Sequence, residues 1–98
     1  MDLKPKMKRL REICRKNNVA MLGVFGSVSR GEDTDESDID LLIKLSKPVG
    51  FIEFIRLEDK FVEVFGRKVD LATEDSLHPL IKKNVLNDLK VIYENPTR

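Results

Sequence analysis

Met7, Leu10, Ile13 and Cys14 recur at helical spacing in a polar, basic surround, so residues 3–17 read as an amphipathic helix ended by Asn17 and Asn18. The apolar run that follows, residues 20–25, lacks helical periodicity and enters Gly26, which predicts a buried strand. Residues 27–31 read as a short turn or helix start, and residues 32–37 as a polar loop. A second strand is expected over residues 38–45, where Asp38 and Asp40 alternate with Ile39 and Leu41 before Leu42 and Ile43. Phe51, Phe54, Ile55, Leu57, Phe61, Val62 and Phe65 form one stripe opposite charged residues, predicting a helix stopped by Gly66, with its phenylalanines in the core. A short strand over residues 68–72 follows. Ser76 is the expected cap of a last helix with Pro79 in its first turn, and His78 is expected to start a helix rather than to touch a ligand. Residues 91–93 complete the pattern as an edge strand, with a frayed tail over residues 95–98.

The resulting order, αβ(α)βαβαβ, describes an α/β (α+β) fold in which helices cover one small sheet. The length of 98 residues suits a single domain, residues 1–98, with one core. With 41% hydrophobic and 36% charged residues, the composition is globular and sets aside disordered, collagen-like and coiled-coil chains. The formal net charge is +1, so no global field draws nucleic acid, and direct nucleic-acid binding is not expected. Local asymmetry exists: residues 1–17 hold seven basic side chains, and residues 32–40 hold six acids and no base. The basic helix is read as a solvated face. One cysteine, Cys14, excludes an intrachain disulfide and is expected as a small core residue. With no membrane-length apolar run, this points to a cytoplasmic protein without membrane attachment.

Two aspartates in an apolar strand demand an explanation. Side chains two apart on a strand share a face, and two carboxylates that close repel unless a cation lies between them. Hard oxygen ligands suit Mg²⁺, which takes one or two carboxylates plus substrate phosphates. Asp70 lies between Val69 and Leu71 in the next strand and reaches the same face if that strand pairs beside the second. Three acids so placed could hold two metal ions about 3.5–4 Å apart, the arrangement that steadies attacking and leaving oxygens in phosphoryl-type transfer. Gly26 and Ser27, at the end of a buried strand, allow close backbone approach and offer N–H groups and a hydroxyl to phosphate oxygens. Arg30 is the only base between Gly26 and Ile43 and could add a charged phosphate contact. Carboxylates beside a phosphate cradle describe a nucleoside triphosphate site.

Gly26-Ser27, ten residues, then Asp38-Ile39-Asp40 resembles the GS-x10-DxD signature of the DNA polymerase β-like nucleotidyltransferase superfamily. The string GSVSRGEDTDESDIDLLI, followed by KVDLAT and SLHP, resembles the minimal nucleotidyltransferases, antitoxin partners of HEPN toxins. The resemblance spans residues 19–93 and implies the superfamily's mixed-sheet core. It further implies that Asp38 and Asp40 bind Mg²⁺, that Asp70 binds the catalytic ion and helps activate an acceptor hydroxyl, and that Gly26 and Ser27 hold the triphosphate of ATP. The implied reaction moves AMP onto a hydroxyl, in this family a tyrosine of the cognate toxin. A chain of this size has no room for an added acceptor domain, so the acceptor surface must come from another chain.

Blander readings stand beside these. Alternating aspartates can simply face water, Gly26-Ser27 alone is an ordinary turn, Arg30 alone is a surface residue, and the remaining loop acids are read as a polar loop. Spacing and the matching Asp70 favour the site. Two other functions compete: a non-catalytic module neutralising its toxin by contact, and an enzyme modifying a small molecule such as an aminoglycoside. The metal-type acids argue against the first, and the absence of a substrate domain against the second.

Overall fold

The computed structural model describes residues 1–95. Its order is α1 (Met7–Lys16), β1 (Val19–Phe25), α2 (Ser27–Arg30), β2 (Ile39–Leu45), α3 (Phe51–Phe65), β3 (Val69–Thr73), α4 (Pro79–Asp88) and β4 (Lys90–Glu94). Short 3-10 turns at Lys4–Lys6 and Glu74–Ser76 precede α1 and α4. The strands form one mixed sheet in the order β3-β2-β1-β4. β1 is antiparallel to both its neighbours, while β2 and β3 run parallel and are joined across the sheet by α3. The element order matches the sequence pattern.

Alternation along the strands divides labour between two faces. On one, Leu22, Val24, Ile39, Leu41, Ile43, Val69 and Leu71 pack against Leu10, Ile13 and Cys14 of α1 and Leu57, Phe61 and Phe65 of α3. Phe61 is fully buried, and burial pushes the Cys14 thiol up to about 12, which keeps it protonated and unreactive at neutral pH. The other face carries Gly23, Asp40, Leu42, Asp70 and Ala72. Leu89, just beyond α4, lies directly on Gly23, where any Cβ would overlap it. Asp70, on the outer strand β3, is exposed.

Several boundaries differ from expectation, each for a local reason. Ser76 does not cap the last helix; its hydroxyl closes the preceding 3-10 turn by bonding the Thr73 carbonyl and amide. The cap of α4 is His78, whose Nδ1 accepts from the Leu80 amide at 3.1 Å, so His78 does start a helix. Phe51 is 80% exposed rather than core, because it opens α3 about 80° round the helix from Phe61. Ile55, also placed in the stripe, is exposed. Asp38 stands one residue before β2 instead of inside it. Asn17 ends α1 by donating its side-chain amide to the Ile13 carbonyl at 2.7 Å, and Asn18 turns with φ 60°. Of the expected frayed tail, residues 96–98 lie outside the described residues. Among the described residues, no helix is long and apolar enough to cross a membrane.

Candidate active site

Parallel pairing of β2 with β3 sets Asp40 directly beside Asp70, with Ile39 opposite Val69 below them and Leu41 opposite Leu71 above. Paired residues on neighbouring strands point to the same side, so both carboxylates stand on the face away from the core. On the other flank Asp40 pairs with Phe25, the last residue of β1. Gly26 comes next, and its backbone is seated on the Asp40 carboxylate: a Cβ there would overlap Oδ2. Gly26 has φ 73° and ψ −148°, a conformation essentially confined to glycine. One residue type therefore meets two demands, a forbidden backbone angle and a closed approach.

The chain then turns through α2. Arg30 N bonds the Gly26 carbonyl at 3.1 Å, and Glu32 N bonds the Ser27 carbonyl at 2.9 Å. No side chain caps the start of α2, and the first amides of a helix have no intrahelical partner. The far end of the turn is tied to α4. Ser29 donates its hydroxyl to the Asp88 carbonyl, and Arg30 pairs with Asp88 at 2.5 Å and with Glu32 at 3.0 Å.

Electrostatics mark the same spot. Burial first, then the charges of Asp70 and Asp38, push the Asp40 carboxyl above the ordinary carboxylate range, with Arg30 opposing them. All four groups thus share one field. Of the sequence-predicted residues, the structure brings Gly26, Asp40 and Asp70 together at the starts of β2 and β3 and the end of β1, with Asp38 and Arg30 near enough for their charges to act on Asp40 and Ser27 next in the turn after Gly26. The convergence is open rather than closed. Among the described residues, no three His, Cys, Asp or Glu side chains are already gathered as a ready-made metal cage.

Two neighbours were invisible in the sequence. Arg67, on the α3–β3 connection, donates to the carbonyls of Thr34 and Ser37 and to the Asp33 carboxylate. Asp88 holds the α2 turn through Ser29 and Arg30. Arg67 lies 30 to 34 residues from its partners and Asp88 58 or 59 from its own, with no local motif to announce either.

An acid pair on a small mixed sheet, faced by a glycine turn, is the arrangement that the resemblance to nucleotidyltransferases leads one to expect. In the family comparison, residues 7–92 match the nucleotidyltransferase domain model, and the chain belongs to that family. Two Methanocaldococcus jannaschii proteins provisionally named protein adenylyltransferases are 33% and 39% identical to it. They cover 90% and 84% of this chain, which covers 95% and 85% of them. A Thermococcus cleftensis protein adenylyltransferase, MntA, is 35% identical over 81% of this chain and 80% of its own. A solved structure provisionally assigned as a minimal nucleotidyltransferase superposes with TM-score 0.78 at 29% identity, covering 92% of this chain and 95% of that one. The same fold occurs in a toxin–antitoxin complex with AMP-PNP, at TM-score 0.75 and 22% identity over 92% of this chain and 74% of that one.

Proposed function

We propose that this nucleotidyltransferase moves AMP from ATP to a tyrosine hydroxyl of a partner protein, and that it serves as the antitoxin of a HEPN toxin. The observation that carries the transfer reading is the in-register Asp40–Asp70 pair with Gly26 seated on Asp40. Its relatives named protein adenylyltransferases support a protein as acceptor.

The donor set fits Mg²⁺: the carboxylates are hard ligands, and Asp40 stands in register beside Asp70 with the Gly26 backbone seated against it. Asp38, Asp40 and Asp70 would hold Mg²⁺, two ions in our reading, whose contribution is Lewis-acid stabilisation of the phosphoryl oxygens. Gly26 and Ser27 receive the triphosphate on backbone amides and hydroxyl. Arg30 adds charge by exchanging Glu32, its more exposed partner, for a phosphate oxygen. Asp70, exposed at the outer strand, takes the proton of the acceptor hydroxyl as its oxygen bonds to the α-phosphorus. The α–β bridging P–O bond breaks, and pyrophosphate leaves.

A tyrosyl acceptor belongs to another chain on this reading. Tyr93 is the sole tyrosine of the sequence, it pairs with Leu22, and it packs against the core on the face opposite Asp40. The test is transfer of label from ATP, with Mg²⁺, to the protein encoded beside this one. Label is expected on a tyrosine, with Asp38→Asn and Asp40→Asn folded but silent. Undiminished labelling in both variants overturns the catalytic assignment. A partner bound tightly yet never labelled by any nucleotide makes this chain a contact inhibitor.

A further inference from the structure

Asp40 and Asp70 are fixed by ladder pairing, whereas Asp38 lies before β2 at the end of a loop rich in like charges. What fixes it comes from the α3–β3 connection. The Arg67 guanidinium, only 15% exposed, donates to the Thr34 carbonyl at 2.6 Å, to the Ser37 carbonyl at 3.2 Å and to Asp33 Oδ2 at 3.1 Å. Immediately after it, the Lys68 carbonyl accepts from the Ile39 amide at 2.9 Å. Asp38 is therefore bracketed: the residue before it is held by Arg67, and the residue after it by Lys68. Two residues further along lies Asp70. One four-residue stretch, residues 67–70, thus sets where two of the three acids stand relative to each other.

We infer that Arg67 is a positioning residue that presents the Asp38 carboxylate to the cation site by clamping the backbone of residues 33–37. The side chain suits the task. A planar guanidinium offers five donors in a fixed fork and can serve two carbonyls and a carboxylate at once, where a lysine ammonium on a flexible stem cannot hold all three in one plane. The bonds of the clamp go to Asp33, Thr34 and Ser37 and to none of the three acids.

This inference rests on the cation-site reading above, and the experiment separates the two. Mn²⁺ binding is followed by the loss of its free-ion electron paramagnetic resonance signal, with a non-hydrolysable ATP analogue present, so no turnover is needed. Wild type is expected to bind. Arg67→Ala should keep a cooperative melt yet need about 10- to 100-fold more Mn²⁺, the usual cost of losing a group that orients a ligand. Arg67→Lys should fall between, and Asp33→Asn, which keeps both carbonyl bonds, should stay close to wild type. Because Arg67 acts through Asp38, its loss in an Asp38→Asn background should weaken binding little further. A folded Arg67→Ala with wild-type Mn²⁺ affinity overturns the inference. So does additive loss in the double variant, and so does failure of both Arg67 variants to fold. A folded wild type that binds no Mn²⁺ sinks the cation site itself.

Discussion

Replacing Gly26 by alanine tests the geometry of the site without touching an acid. Two separate costs follow from the structure. The first is backbone strain: φ 73° with ψ −148° is a region that L-residues rarely enter, at about 1–3 kcal/mol. The second is overlap, because the new methyl would meet the Asp40 carboxylate, and forcing extra atoms into a filled space costs typically about 1–3 kcal/mol. Together they come to about 2–6 kcal/mol, a large share of the roughly 5–15 kcal/mol that holds a domain folded. At about 4–8 °C per kcal/mol for a chain of this size, even the low end is a plain drop in Tm. The assay is guanidinium unfolding of Gly26→Ala in two backgrounds, native and Asp40→Ala. Shortening Asp40 removes the overlap and leaves the strain, so the cost should fall to about 1–3 kcal/mol in the second background. Gly66→Ala serves as the control: its φ of 68° is ordinary left-handed helix and nothing lies within 4 Å of its would-be Cβ, so only about 1–2 kcal/mol is expected in either background. Equal costs for Gly26→Ala in both backgrounds would refute the contact with Asp40. A cost under about 0.5 kcal/mol, the level of a neutral surface change, would refute the strain as well.

Three further outcomes are expected. Asp40 has its carboxyl raised in the folded state, so folding favours its protonated form and stability falls as pH climbs from the ordinary carboxylate value through the raised one. Asp40→Asn should therefore melt higher than wild type at pH 7 without ligand, converging with it at acid pH; a lower melt at both would contradict the electrostatic picture. Asp33 is the reverse case: Arg67 beside it holds its carboxyl below the usual range, so its stabilisation is present above the ordinary value and is lost as pH falls through the lower one. The gap in melting temperature between wild type and Asp33→Asn should be open at pH 7 and closed in strong acid, and a gap independent of pH would count against it. Within α3, Phe61→Ala should cost about 3–5 kcal/mol in guanidinium unfolding, whereas Phe51→Ala, at an 80% exposed position, should stay within about 0.5 kcal/mol; equal losses would contradict the packing.

What the sequence made legible is what local pattern controls. Helical spacing located α1 and α3, and the lone strand aspartates flagged the site, because an acid between apolar neighbours is conspicuous in one dimension. The errors came where two signals compete over a few residues. Ser76 is a good cap by type, yet Thr73 lies three residues before it and captures its hydroxyl, leaving the capping of α4 to His78. Phe51 continues the apolar stripe by composition but lies about 80° round the helix from Phe61, off the main packing face. Arg67 and Asp88 could not have been found this way. Their significance arises only when a parallel crossover brings the α3–β3 connection under the acidic loop, and when α4 returns beneath the glycine turn.

The division between the two sheet faces explains how so small a domain tolerates a site of this kind. Three acids in one field, a backbone angle reserved for glycine and an uncapped turn are all unfavourable to folding, and all lie on the face with Asp40. The opposite face carries none of these features; there Leu22, Ile39, Leu41, Ile43 and Phe61 are buried to completion. The strands are shared by both, so alternation alone converts apolar packing on one side into rigid placement of Asp40 and Asp70 on the other. A carboxylate pair held by its own backbone ladder has no need to be drawn together by a ligand. The loop that carries Asp38 has no ladder; its backbone is held instead by a partly buried arginine, through the Thr34 and Ser37 carbonyls.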